Sequence, residues 1–120
     1  MDPIARVRSL AIQVQGCEDR STEGAVRLEV GGKAFAWSLN ERFEPNTARR
    51  PVPEVLAISC DHERKAFLIE AAPDRFYVTA HYSGYPGVLV RLAAVDDGEL
   101  IDLLRAGAER QRKPFSARKR

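Results

Sequence analysis

Gly31-Gly32 separates two runs whose pairing is strongly constrained. Before the glycines, Val26, Leu28 and Val30 alternate with Arg27 and Glu29. After them, Phe35, Trp37 and Leu39 alternate with Ala34, Ala36 and Ser38. A period of two marks half-buried strands, and two consecutive glycines supply the positive φ that a two-residue hairpin loop requires. Setting Val30 opposite Lys33 puts Leu28 opposite Phe35 and Val26 opposite Trp37, on one face with Leu39. Arg27, Glu29, Ala34, Ala36 and Ser38 then share the other face. A one-residue slip would expose Phe35 and Trp37 together, so the pattern predicts this register. Trp37 accordingly reads as a core anchor rather than a ligand platform.

The flanking segments set the fold class. Asp2-Pro3 is a helix start, with Asp2 as N-cap and Pro3 at the first helical position. Ile4, Val7, Leu10, Ala11 and Val14 give that helix an apolar face, and Gly16 stops it. The polar stretch 17–24 reads as loop. So does 40–53, with three prolines and Arg49-Arg50 at its tip. Residues 55–60 form a third strand, and Asp61 caps a short helix over 62–71, ended by Pro73. Two further apolar runs, 76–80 and 88–92, flank a seven-residue loop, His81-Tyr82-Ser83-Gly84-Tyr85-Pro86-Gly87. Asp96 with Glu99 is a capping box for a final helix, on which Leu100, Ile101, Leu103, Leu104 and Ala108 build the buried face. Pro114 ends it. The order α-β-β-β-α-β-β-α, with hairpin-joined strands, predicts an α+β fold: a five-stranded antiparallel sheet with helices packed on one face.

With 120 residues the chain reads as one domain over 1–113, burying roughly two thirds of its unfolded surface, followed by a basic tail, 114–120. No apolar run approaches the roughly 20 residues that span a bilayer, and the first residues do not resemble a signal peptide. The expectation is a cytoplasmic protein with no membrane partner and with Cys17 and Cys60 reduced. The net charge of +2 conceals an asymmetry. Residues 105–120 carry +6 and the remainder −4, so the end is either an electrostatic handle or a solubilising tail.

Three pieces carry a family resemblance: Gly31-Gly32-Lys33-Ala34-Phe35-Ala36-Trp37; Phe76-Tyr77-Val78-Thr79-Ala80-His81-Tyr82 leading to Gly84-Tyr85-Pro86; and Val88-Leu89-Val90-Arg91-Leu92. Over roughly residues 5 to 113 the chain resembles the MmcQ/YjbR-like family. The resemblance implies a two-layer domain related to secretion-chaperone-like and CyaY-like folds, and a DNA-binding protein with a double-wing motif. The chain departs from the family pattern twice. A Trp usual in the last helix is replaced by the stretch Ala108-Glu109-Arg110-Gln111-Arg112-Lys113. The turn after the first helix lacks its usual His.

Catalysis finds little support. His81 has no Ser/His/Asp ordering around it and reads as a turn residue bonding backbone. His62 beside Asp61 and Glu63 lacks the three or four ligands a metal needs. Gly31-Gly32 lacks a phosphate-cradle framework, and Cys60 reads as inert core. The expectation is a non-enzymatic protein with no cofactor and no metal. For binding, Lys33, Arg49, Arg50, Arg91, Arg110, Arg112 and Lys113 are candidate phosphate contacts, with His81, Tyr82 and Tyr85 beside bases or sugars. The two hairpin tips would act as wings. The alternative is a protein-interaction or chaperone-like module, monomeric or weakly dimeric, recognisable by a contiguous apolar patch. Convergence of Lys33, Arg49, Arg50 and the tail on one face would favour DNA.

Overall fold

The computed structural model describes residues 2–42 and 45–112, so Lys113 and the tail lie outside the described residues. Its elements run α1 (Pro3–Ala11), β1 (Glu18–Asp19), β2 (Arg27–Val30), β3 (Lys33–Glu41), β4 (Arg50–Ser59), α2 (His62–Ala71), β5 (Phe76–Tyr77), β6 (Gly87–Arg91) and α3 (Asp97–Arg112). Every pairing in the sheet is antiparallel, in the order β1-β2-β3-β4-β6-β5. The fold is α+β, as expected, but the sheet has six strands rather than five. The additional strand is β1, an edge pair within the stretch read as loop.

Helix termini follow the capping chemistry. Asp2 accepts from the backbone N–H groups of Ile4 and Ala5, Asp61 from Arg64, and Asp96 from Glu99 at 2.8 Å. All five apolar residues of the first helical face are buried, and they join Leu100, Leu103, Leu104 and Ala108 of α3 over one side of the sheet. Leu28, Phe35, Leu56, Ile58, Val88 and Val90 supply the sheet's half of that core. Arg6 ties the layer together, donating to Asp97 and to the carbonyls of Leu92 and Val95.

The hairpin departs from its expected register. Gly31 and Gly32 have φ of 57° and 81°, and Val30 does pair with Lys33. Beyond Glu29↔Ala34 the ladder shifts, so that Leu28 faces Ala36 and Arg27 faces Trp37. Phe35 is thus an extra residue in β3, a bulge, and Phe35 and Ala36 both enter the helix-side core. Ser38 locks the shifted register. Its N–H donates to Val26 O at 3.1 Å, and its hydroxyl accepts from Val26 N–H at 2.8 Å. On the helix side, Gln111 donates to Ala34 O at 2.8 Å, satisfying a carbonyl at the bulge. One extra residue reverses the face on which all later side chains of the strand fall. Trp37 therefore leaves the helix-side core for the opposite face, while Ala36 and Ser38 turn inward.

The stretch 40–53 is also more regular than expected. β3 continues to Glu41 and β4 begins at Arg50, although Pro51 and Pro53 lie within it. The prolines are tolerated because this half of β4 pairs with β3 alone. Pairing with β6 starts only at Val55, leaving one side of the backbone without a ladder to interrupt.

Candidate binding face

The face of the sheet away from the helices carries a second, smaller apolar cluster. Leu39, Ala57 and Leu89 form its floor, bordered by Trp37, Val52, Val55, Tyr77 and Val78. The loop between β5 and β6 folds across it, with a short 3-10 turn at Ala80–Tyr82. Tyr82 is buried in this cluster, and its hydroxyl accepts the indole N–H of Trp37 at 3.0 Å. Tyr85 stands edge-on to both Trp37 and Tyr82, at 5.9 and 5.8 Å between ring centres. Gly87 permits that placement, since a Cβ there would meet the Tyr85 ring at 3.1 Å and Ile58 O at 3.3 Å.

From the helix side the same loop is held by Lys65, which is buried on α2. Its ammonium donates to the carbonyls of Tyr82 at 2.6 Å, Ser83 at 3.2 Å and Tyr85 at 2.6 Å. All three protons are thus used, on charge-assisted bonds. Burial lowers the Lys65 pKa, partly opposed by the neighbouring Cys60. Sequence reasoning missed this residue because a lysine in a polar helix has the pattern of a solvated charge. Cys60 is buried, with its thiol pushed up by burial and by Asp61, which fits inert core. Both cysteines are free.

The residues expected to bind do not converge. Lys33 opens β3 at the hairpin tip, whereas Arg50 pairs with Glu41 at its far end, roughly 25 Å away at about 3.3 Å per residue. Arg110 and Arg112 belong to the helix layer. Arg110 donates to Ser59 and Gln111, and Arg112 to Glu109 and Gln15 O. A two-wing grip using all of these at once is not assembled.

The structure instead gathers a subset on the open face. Tyr82, Tyr85 and His81 come with the loop, His81 exposed and edge-on to Tyr82 at 5.2 Å. Arg91 lies over the Tyr77 ring at 4.1 Å, where burial raises the Tyr77 phenol against the lowering influence of Arg91. Arg49 donates to Asn40 O at 3.3 Å.

Two recesses open on this face. One, of 390 Å³, is lined by Trp37 and Tyr85 with Thr22, Ser38, Asn40, Arg20 and Arg27. The other, of 280 Å³, is bordered by Asn40, Arg42, Arg49, His81, Tyr82 and Glu41. Arg20 and Arg27 are paired with Glu18 and Glu29. With Arg42, Arg49 and Arg91, five arginines stand here against the three glutamates 18, 29 and 41. The face is therefore net positive on a body whose residues 1–104 are net negative.

Among the described residues no group of three or more His, Cys, Asp or Glu can hold a metal, and no helix is long and apolar enough to cross a membrane.

A two-layer α+β domain with a loop-covered open sheet face is thus the class the structure defines. The sequence profile of the YjbR family matches residues 13–107, and the chain belongs to that family. It is 32% identical over 82 residues to uncharacterised proteins of Mycobacterium tuberculosis and Mycobacterium bovis. That match covers 62% of this chain and 64% of each relative. The crystal structure of Deinococcus radiodurans protein DR2400, of domain family DUF419, shares the fold. It matches with a TM-score of 0.62 at 20% identity, over 89% of this chain and 76% of that one.

Proposed function

We propose that this protein is a non-enzymatic nucleic-acid-binding domain that uses the open face of its sheet rather than paired wings. The observation that carries the reading is aromatic rings interleaved with arginines on the one sheet face left uncovered by helices. Tyr85 is 41% exposed, and Arg91 reaches solvent beside Tyr77. Rings of this kind stack on bases, while arginines neutralise phosphates. The protein-interaction alternative draws less support. Of the large exposed apolar residues among the described residues, Ile12 follows α1 and Phe67 lies on α2, and only Tyr85 stands on the open face.

The test is a salt titration of binding to single-stranded and duplex DNA, with the full chain and with a version ending at Arg112. Affinity should fall linearly with the logarithm of salt concentration and survive truncation of the tail. Arg91→Gln and Arg49→Gln should each weaken it. Absence of binding even at low salt sinks the reading, and affinity lost with the tail alone moves the site off the sheet.

A further inference from the structure

Trp37 and Tyr85 meet at 80° with their ring centres 5.9 Å apart, so they form an upright corner rather than a closed stack. A planar ring laid flat on one of them turns its edge to the face of the other, an arrangement aromatic groups prefer. Both walls are fixed in advance. Trp37 is pinned through its N–H to Tyr82, and Tyr85 through its carbonyl to Lys65. Thr22 and Asn40 line the same recess and carry side-chain hydrogen-bonding groups. Its 390 Å³ lies at the lower end of the roughly 300–1,000 Å³ typical of small-ligand sites. Asn40 also borders the second recess, where Arg42, Arg49 and His81 face a single acid, Glu41. An apolar corner and a cationic hollow are therefore neighbours, sharing one residue.

We infer that the face takes single-stranded nucleic acid, one unstacked base seated in the Trp37–Tyr85 corner and an adjacent phosphate at Arg42, Arg49 and His81. This rests on the nucleic-acid reading above and makes it more specific. A duplex keeps its base faces within the stack and cannot fill the corner, whereas a single strand presents them freely.

Trp37 is the only tryptophan, so intrinsic fluorescence of the full chain reports on the corner directly. The probes are a short oligodeoxythymidine strand, the same strand annealed to its complement, the same backbone without bases, and thymidine monophosphate. The strand should change Trp37 emission and bind roughly tenfold more tightly than the duplex or the abasic backbone. Tyr85→Ala should remove about that factor in protein that remains folded at the assay temperature, its unfolding midpoint lowered only by the loss of the two ring contacts. Arg42→Gln and Arg49→Gln should each reduce the salt slope for the strand by about 0.7. Equal affinity for all three polymers with unchanged Trp37 emission overturns the base seat but leaves electrostatic nucleic-acid binding standing. Monophosphate binding as tight as the strand's overturns the strand. No binding of any probe at low salt overturns both this inference and the reading it rests on.

Discussion

On the helix side of the sheet, Leu28, Phe35, Leu56 and Ile58 meet Leu100 and Leu104, all 0–1% exposed. On the open side, Leu39, Ala57 and Leu89 meet one loop, and Trp37, Val52, Val55, Tyr77 and Val78 around them remain only partly buried. The first face is closed by apolar area, which is non-directional and cooperative. The second is closed by polar fastenings on the loop: three bonds from Lys65 and one between Trp37 and Tyr82. Apolar closure leaves no room for a ligand. Fastening a loop at a few points leaves recesses on either side of it. The division of labour comes from the bulge at Phe35, which keeps one aromatic in the core and delivers the next to the open face.

The largest expected effect lies on the closed side. Phe35→Ala should cost about 3–5 kcal/mol in urea-induced unfolding, since it empties a fully buried site. It also removes the bulky group that holds the bulge inward. A cost below about 1 kcal/mol would mean that packing does not set the register.

Lys65→Met should come next, at about 2 kcal/mol, because it leaves the carbonyls of Tyr82, Ser83 and Tyr85 without their donor. The distribution of the effect sharpens the contrast between faces more than its size does. Amide exchange should accelerate in residues 79–87 and stay slow in β3, β4 and α3. Uniform acceleration would show that the two faces are not independently closed. Trp37→Phe should cost about 1 kcal/mol by removing one hydrogen bond while keeping an aromatic wall. Measured in the Lys65→Met background, its cost should shrink, because both act on the same loop.

How far the sequence reaches can be argued from these residues. The helices were legible because Asp2, Asp61 and Asp96 mark their starts, and in the first and last of them the apolar period runs true. The glycine turn was legible because Gly31 and Gly32 leave few alternatives. The bulge was not. A strand with one extra residue has the same composition as a regular one, and what decides between them is the bond between Ser38 and Val26 and the reach of Gln111 from a helix far along the chain. Pro51 and Pro53 suggested a loop because a sequence does not state which side of a strand lacks a neighbour. Of the candidate site, Tyr82, Tyr85 and His81 were found as exposed-looking aromatics, and Arg49 and Arg91 as basic groups. Trp37, Arg20, Arg27 and Arg42 reach the site only through tertiary pairing, so no local signal marked them.

The smallest expected effect concerns β1, the edge strand whose next residue, Arg20, stands on the rim of the first recess. Asp19 accepts from Ser21 N–H at 2.9 Å and from Arg8 at 2.7 Å. Burial pushes its carboxyl up, but the bonds from Ser21 and Arg8 outweigh that and hold it below 3.8. The folded state therefore keeps the carboxylate charged at pH values where the unfolded chain has begun to take up a proton. The stabilisation is fully present above 3.8 and is lost as pH falls through the lower folded value. Asp19→Asn should thus be less stable than the parent at neutral pH, by no more than about 1 kcal/mol for so exposed a pair. The two unfolding curves should draw together under acid. A gap that stays constant from neutral to acid pH would show that Asp19 acts by shape and not by charge. In that case the rim of the open face would not depend on electrostatic fastening, unlike the loop that Lys65 holds across it.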